Sequence, residues 1–279
     1  MNWFTLPLEK LTNDFVDLWM LPVLGPIFDQ ISYNIGLVLN RFEDLLLWLP
    51  PEVLAAFIVL LAWRVKGLRF ALFSFLGLLY IGSVDLWKEA MQTLAIILSA
   101  TFLSILIGVP FGIWSAKSRK ADQIIRPILD FMQTLPSFVY LIPTILLFGV
   151  GDVPAVIATF VFATPPAVRL TSLGIKQVPL DVIEAAKAFG STSWQMLVKV
   201  QLPIAKPTIM TGINQAIMMS LAMAVISAMI GAPGLGSVVL QAITRVNVGM
   251  GLAGGLGIVV LAIILDRITE GISHQSKRI

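Results

Sequence analysis

The stretch from Thr93 to Ala116 contains no charged side chain, and this feature most limits what the chain can fold into. A helix over it would be about 36 Å long at 1.5 Å per residue, and the hydrocarbon core of a bilayer is about 30 Å thick. Within it Gly108 and Gly112 have the spacing of a GxxxG motif, with Pro110 between them. We therefore expect close packing against another helix and a kink at this point of a membrane span.

Composition extends this prediction to several spans. Of 279 residues, 57% are hydrophobic and only 13% are charged, and the mean hydropathy is +0.91. These values exclude an ordinary soluble domain. The chain has no cysteine, which excludes disulfides, iron–sulfur sites and thiolate metal sites. Its one histidine, His274, lies in a polar C-terminal stretch and is expected to be solvated. The N-terminus lacks the basic-then-apolar order of a cleavable signal peptide.

Further apolar segments bring the predicted number of spans to seven, in an all-α polytopic membrane protein. These segments cover 53–63, 70–84, 135–150, 153–168, 208–230 and 252–265. The segment 53–63 is short for a span, and 45–49 would extend it across two prolines. Prolines in the two spans between 135 and 168 predict bent or broken helices. We expect 117–126 to be a basic loop and 237–251 to be a short helix with a glycine-rich link.

Residues 1–51 are apolar but interrupted by acidic side chains. No run there reaches the length of a span. Phe15, Leu18 and Trp19 have the i, i+3, i+4 spacing of an amphipathic helix, which favours a helix lying in the membrane interface. A shallow re-entrant segment is the alternative.

Basic residues concentrate on one side of the predicted spans. Of the 19 Lys and Arg residues, only Lys10, Arg41, Lys88 and Arg245 fall on the opposite side. Because cytoplasmic loops carry the excess of Lys and Arg, the N-terminus is predicted outside and the C-terminus inside. The net charge of +3 could suggest a nucleic-acid partner. Because the basic residues lie mainly on one side of the predicted spans, membrane topology explains this charge, and no nucleic-acid partner is expected.

The most structured of the predicted loops is the polar stretch around 184–203. Pro179 suits the first turn of a helix, and Gly190 supplies a left-handed stop. Thr192 and Gln195 then have the spacing of a capping box. An apolar stripe at helical spacing follows until Pro203 ends the run. The pattern predicts a helix, a glycine elbow and a second helix.

The same stretch resembles the EAA signature of ABC import permeases. The resemblance is carried by Glu184-Ala185-Ala186, Gly190, Val200 and Leu202-Pro203; the family usually has isoleucine at the position of Val200. It implies a type I importer (MetI-like) permease fold, in which a cytoplasmic loop at about 171–207 docks a short helix into a cleft of the ATPase subunit. The residues then expected to couple to the ATPase are Glu184, Ala185, Ala186, Phe189, Gly190, Ser191, Thr192, Leu202 and Pro203. The alternative is an ordinary amphipathic loop between two spans.

Motifs for other chemistries are absent from the sequence. It contains no Walker A, HExxH or GxSxG motif, and the glycines at 254–257 are expected to serve packing or a hinge. The central spans almost lack ionisable residues, which argues against a proton- or sodium-coupled carrier. We therefore predict no catalytic residue, no metal site and no cofactor in this chain, with ATP and Mg²⁺ used by a partner ATPase. A secondary carrier and a membrane-embedded enzyme are the rival classes.

Polar and methionine side chains in the spans are candidates for the translocation path. They are Gln133, Tyr140, Asn214, Gln215, Ser220, Met223 and Ser227. For each of them a hydrogen bond between helices, or plain packing, is the favoured alternative.

Several other segments resemble the glycine betaine/proline betaine branch of these permeases. They are 91–94, 129–136, 138–143, 199–203, 212–215 and 229–236, and the likeness runs from about 52 to 271. It departs at Pro233, where relatives often carry glycine, and in the first 51 residues.

This resemblance implies an ATP-driven importer of glycine betaine or a related osmoprotectant. The implied assembly is a homodimer in the inner membrane and its lipid, with an ATP-binding subunit and an extracytoplasmic binding protein. That binding protein is expected to be separate because the chain stops at Ile279. Choline, carnitine or an amino acid is the alternative solute. The predicted divisions are an N-terminal segment at 1–51, two accessory helices at 52–90, the permease core at 91–271 and a cytoplasmic tail at 272–279.

Overall fold

The computed structural model describes residues 7–275, and within that range all regular structure is helical. A π-helical turn (Val16–Met20) joins the first two helices, and another (Met196–Gln201) joins the short helix Ser193–Gln195 to the long helix Leu202–Ile226. A short 3₁₀ turn (Ser137–Tyr140) precedes the helix Leu141–Phe148, and another (Ser227–Ile230) follows the helix Leu202–Ile226. The helices are α1 (Leu8–Phe15), α2 (Leu21–Trp48), α3 (Pro51–Lys66), α4 (Leu68–Ser83), α5 (Trp87–Lys117), α6 (Arg119–Thr134), α7 (Leu141–Phe148), α8 (Asp152–Lys176), α9 (Leu180–Ala188), α10 (Ser193–Gln195), α11 (Leu202–Ile226), α12 (Leu235–Thr244) and α13 (Val248–Gln275).

Helices α5, α8 and α11 form the centre of the bundle, and small residues let them approach closely. A Cβ added to Gly112 on α5 would lie 2.6 Å from the Cβ of Thr171 and 2.7 Å from the carbonyl oxygen of Val168 on α8. A Cβ on Gly212 of α11 would lie 3.0 Å from the carbonyl oxygen of Pro166. The close helix contact predicted from the GxxxG spacing is therefore confirmed.

Residues 7–275 contain fewer candidate spans than the predicted seven. Within this range, four helical segments are long and apolar enough to cross a membrane: Trp87–Lys117, Asp152–Lys176, Ser193–Ile230 and Val248–Ile272. Two bent pairs raise the number to six at most, one bending by 101° after Trp48 and the other by 109° after Thr134. The segments predicted at 53–63 and 70–84 lie in α3 and α4, which have 16 residues each. Such helices are about 24 Å long and shorter than the hydrocarbon core.

The prediction of a basic loop at 117–126 is wrong, because α6 begins at Arg119. Ser118 caps this helix by accepting a hydrogen bond from the Ala121 amide at 3.3 Å. Ala121, Ile125 and Leu129 follow at four-residue intervals and are buried against Val168 of α8. The charged side chains occupy the remaining faces, so a high local charge density conceals an amphipathic helix.

The prediction of a glycine-rich link before the last span is also wrong. Helix α13 begins at Val248, and its first turns contain Gly249 and Gly251 of the predicted link. A Cβ on Gly254 would lie 3.1 Å from Val238 Cγ1 of α12, and one on Gly257 would lie 3.3 Å from Leu235. These glycines allow α12 and α13 to pack tightly side by side, so the span is longer than 252–265.

The N-terminal segment is helical from Leu8 to Trp48, apart from the π turn. Its second half packs on the bundle: Leu39 is 2% exposed, and Phe28 makes an edge-to-face contact with Phe148 at 5.5 Å between ring centroids. Phe15 and Trp19 stack on each other at 5.2 Å and are each 54% exposed. A location of this first part in the membrane interface stays a prediction. Residues 1–6, the last four residues of the tail at 272–279 and the His274 side chain lie outside the described residues.

Candidate functional site: the 180–203 segment

A Schellman motif ends helix α9. The Ser191 amide donates to the Ala186 carbonyl at 3.1 Å, and the Gly190 amide donates to the Lys187 carbonyl at 2.9 Å. Gly190 lies between these bonds with φ of 77°, a left-handed conformation that costs glycine little. The predicted glycine stop is therefore confirmed.

A capping box begins the second helix. The Thr192 hydroxyl accepts from the Gln195 amide at 3.3 Å, and the Gln195 side-chain oxygen accepts from the Thr192 amide at 2.9 Å. Each residue thereby satisfies a backbone N–H of the other that has no partner inside the helix. The predicted capping box is confirmed, and with Gly190 it fixes the angle between α9 and α10.

The prediction that Pro203 ends the second helix is wrong. The helical run continues from Ser193 to Ile230, and Pro203 lies inside it near the start of α11. A proline cannot donate the i→i−4 hydrogen bond and its ring crowds the preceding turn. The π turn Met196–Gln201 immediately before Pro203 widens the helix at this point, which accommodates the missing donor.

Helix α9 stands out from the bundle, whereas the residues after the elbow anchor the segment. In the described helix α9 no side chain is buried, and Asp181 in its first turn and Lys187 in its last complement the helix dipole. After the elbow, Met196 and Leu197 are 6% and 8% exposed. Leu197 packs in a small cluster with Ile175 of α8. The segment is therefore a projecting helix on a fixed base.

Large apolar side chains on this segment are exposed. Phe189 is 91% exposed, Leu180 74% and Trp194 71%. Isolated exposed apolar residues are common, but several within one short segment make that segment a candidate surface for another protein. Leu180 and Trp194 are not among the predicted coupling residues. Their sequence signal is an apolar side chain within a mainly polar stretch.

The predicted coupling residues divide between the two parts of the segment. Those in α9 and the elbow are exposed or half-buried: Glu184, Ala185, Ala186, Phe189, Gly190, Ser191 and Thr192. Leu202 instead packs against the Ile175–Leu197–Ala205 cluster, and Pro203 is exposed at the start of α11. A role of these residues in ATPase coupling stays a prediction.

Several candidate path residues have partners within the chain. The Ser220 hydroxyl of α11 accepts from Thr101 of α5 at 3.2 Å, and Asn214 donates to Asp266 of α13 at 3.2 Å. The Ser227 hydroxyl donates to the Met223 carbonyl at 2.8 Å. Met223 itself is fully buried. Such contacts are expected if these side chains serve hydrogen bonding between helices or packing. Contact of these residues with substrate stays a prediction.

The other three candidates differ in exposure. Tyr140 is 7% exposed, its hydroxyl donates to the Met132 carbonyl, and its ring packs edge-to-face on Phe162 at 5.9 Å. Gln133 and Gln215 are exposed on α6 and α11. Of the seven candidates, these two therefore remain exposed in the single chain.

Long apolar helices around a close-packed centre, with the short helix α9 projecting from them, are typical of a polytopic membrane protein. Residues 108–277 match the family model described as binding-protein-dependent transport system inner membrane component. The chain belongs to this family, whose members are the multi-pass membrane components of transport systems that depend on a binding protein.

Relatives of known function are similar to the chain over nearly its full length. It is 46% identical, over 98% of this chain and 77% of the relative, to the glycine betaine/proline betaine transport system permease protein ProW of Escherichia coli (strain K12). It is 46% identical, over 98% of this chain and 96% of the relative, to the glycine betaine transport system permease protein OpuAB of Bacillus subtilis (strain 168). It is 45% identical, over 98% of both chains, to the glycine betaine/carnitine transport permease protein GbuB of Listeria monocytogenes serotype 1/2a (strain 10403S).

The fold is shared with a solved transporter. Two structures of the inward-facing MetNI methionine ABC transporter superpose with TM-scores of 0.61 and 0.63, each at 22% sequence identity. They cover 66% and 68% of this chain, and 93% and 95% of the matched chains. The match confirms the predicted MetI-like permease fold.

Proposed function

We propose that this chain is the permease subunit of an ATP-driven importer of glycine betaine or a related quaternary ammonium osmoprotectant. The observation that carries the proposal is the projecting α9 with its preformed elbow, which lies at the position of the EAA signature. The named functions of relatives at 45–46% identity support the solute class.

The proposed energy source is a separate ATPase that docks on α9. Leu180 in this short helix and Phe189 directly after it are exposed, and exposed aromatic and aliphatic anchors of this kind fill pockets at protein interfaces. Two copies of the chain would form the pathway between them, each docking one ATPase subunit that uses ATP and Mg²⁺. ATP binding would draw the two α9 helices together and switch the spans between inward- and outward-open states.

Solute selection is proposed to lie in a separate extracytoplasmic binding protein. A quaternary ammonium has no N–H to donate, so aromatic rings recognise it through cation–π contacts. The spans of this chain then need only pass the solute on. The proposed orientation places the N-terminus outside and α9 in the cytoplasm, as the distribution of Lys and Arg favours.

ATP-driven uptake in vesicles tests this function. The vesicles contain this chain, its ATPase and its binding protein, and radiolabelled glycine betaine is the solute, with excess unlabelled proline or choline as competitor. The proposal expects uptake that requires ATP and the binding protein and that neither competitor abolishes. Uptake of choline, carnitine or an amino acid instead would contradict the proposed solute class, but it would still support an ATP-driven importer. Uptake of glycine betaine without the ATPase would overturn the importer and favour a secondary carrier.

A further inference from the structure

Asp122 lies where three helices meet. Its Oδ1 accepts from the Ser115 hydroxyl of α5 at 2.6 Å and from Lys176 Nζ of α8 at 2.8 Å. Its Oδ2 accepts from Arg126, one turn further along α6, at 3.4 Å. Ser115 also shares a hydrogen bond with Ser172 of α8 at 3.1 Å. One carboxylate of α6 therefore joins α5, α6 and α8.

The rest of α6 follows α8 as well. The apolar side of α6 is buried against Val168, and an ion pair between Asp130 and Arg169 joins the two helices further from the Asp122 end. Helix α6 is therefore attached to α8 by an apolar seam with an ion pair towards each end. A displacement of α8 along or across its axis would carry α6 with it only while these attachments hold.

The Asp122 contact lies next to the 180–203 segment. Lys176 is the last residue of α8, and only Gln177, Val178 and Pro179 separate it from the first residue of α9. Val178 is 4% exposed, and its amide donates to the Ile175 carbonyl at 3.4 Å. The connection is therefore short and tied back to α8, so a force on α9 acts first on the end of α8 that Lys176 occupies.

The base of the segment is fixed to the same end of α8. Ile175 packs with Leu197 and Ala205 in one cluster, which joins the turn after α10 to the last turn of α8. Both ends of the 180–203 segment are therefore attached to the last turn of α8, at Ile175 and Lys176. Asp122 is the residue that connects this junction to α5 and α6.

A purely stabilising role fits these groups poorly. The Asp122 and Lys176 side chains are 24% and 36% exposed, and an open groove of about 400 Å³ between α6 and α8 lies beside them. Ion pairs that are this exposed contribute little to folding stability, but they hold the relative position of the elements that they join.

We propose that Asp122 is a positioning residue for energy coupling, which makes α5, α6 and α8 move as one body when the ATPase displaces α9. This inference rests on the proposed function. Without the Asp122 contact, α9 and the end of α8 would still respond to ATP, but only the apolar side of α6 and the Asp130–Arg169 pair would hold α6 to α8. Helix α6 would then follow α8 less closely. ATP would then be hydrolysed with less solute transported.

The test compares Asp122→Asn with the wild type in vesicles that contain the ATPase and the binding protein. Asparagine keeps the size of the side chain and removes its charge. The expected result is a fall of about threefold or more in solute imported per ATP hydrolysed, with ATP hydrolysis and thermal unfolding temperature close to wild type. Asp44→Asn is the matched control, because it removes the same charge from an exposed carboxylate on α2, and it is expected to leave the ratio unchanged.

A charge exchange separates positioning from a general effect of the substitution. Asp122→Lys combined with Lys176→Asp restores an ion pair between α6 and α8. The amount of solute imported per ATP hydrolysed should fall in Asp122→Lys alone and return close to the wild-type value in the double variant. An unchanged ratio in Asp122→Asn would overturn the inference. So would an equal fall in import and ATP hydrolysis with a lower unfolding temperature, because that pattern shows a structural role.

Gly190→Val in the same vesicles separates the inferred role of Asp122 from the proposed docking of α9 on the ATPase. If Gly190→Val uncouples transport and Asp122→Asn does not, the inference on Asp122 fails and the proposed docking function stands. If neither substitution changes the ratio, the proposed docking function itself fails.

Discussion

Thr192 and Gln195 cap each other at the start of the helix that follows the glycine elbow. The Thr192 hydroxyl accepts from the Gln195 amide at 3.3 Å, and the Gln195 side chain accepts from the Thr192 amide at 2.9 Å. All the groups involved belong to a stretch of four residues, so the chain forms this elbow without help from a partner. A preformed elbow lowers the entropy lost when another protein binds the helix.

Thr192→Ala is expected to loosen the start of the second helix. Loss of an N-cap hydroxyl costs about 1 kcal/mol, which corresponds to roughly fivefold faster hydrogen exchange of the Gln195 amide if it exchanges through local opening. Import per ATP should fall in part, because α9 would no longer be held at one angle. Thr192→Ser retains the hydroxyl and should behave like the wild type. Equal exchange rates in the alanine and serine variants would contradict the role of the cap.

Gly190→Val is expected to uncouple ATP hydrolysis from import. A Cβ on Gly190 meets no atom of the described residues within 4 Å, so the cost comes from the backbone. A β-branched residue at φ of 77° is strained by about 1–3 kcal/mol, and the elbow would open. Import in vesicles should fall strongly with the unfolding temperature little changed. Gly25→Ala is the control, because Gly25 lies in α2 with the same open space and no such constraint on φ. Normal import by Gly190→Val would show that the left-handed elbow is dispensable.

Gly112→Ala is expected to destabilise the centre of the bundle. The added methyl group would lie 2.6 Å from Thr171 Cβ, so α5 and α8 would have to separate. Overpacking of this kind costs about 1–3 kcal/mol, and the purified protein in detergent should unfold several degrees lower. Gly255→Ala on α13 adds the same methyl group where no described atom lies within 4 Å. Equal unfolding temperatures for the two variants would contradict the close α5–α8 contact.

Local features of the site were predictable from the sequence because they depend on neighbouring residues. The capping box needs only Thr192 and Gln195, and the Schellman motif needs a glycine after a short helix. The close contact at Gly112 was predictable too, since a GxxxG spacing places both glycines on one side of a helix.

Features that depend on distant contacts were not predictable. The start of α6 carries charges that suggest a loop, and its burial depends on Val168 of a different helix. The partner of Ser220 is Thr101, which is 119 residues away in the chain. The span count differs at 70–84, because this apolar segment forms a helix of only 16 residues. Pro203 was misjudged since a π turn lets a helix continue through proline.

Site-specific cross-linking can detect the proposed docking of α9 on a separate ATPase. The chain has no cysteine, so a single Phe189→Cys substitution gives one reactive thiol at a side-chain position that is 91% exposed. A short thiol–amine cross-linker should join it to the ATPase subunit in assembled vesicles. Trp48→Cys, at a position 80% exposed on α2, should give no such product. A cross-link from position 189 alone is the predicted result, and an ATPase cross-link from position 48 but not from 189 would contradict the account.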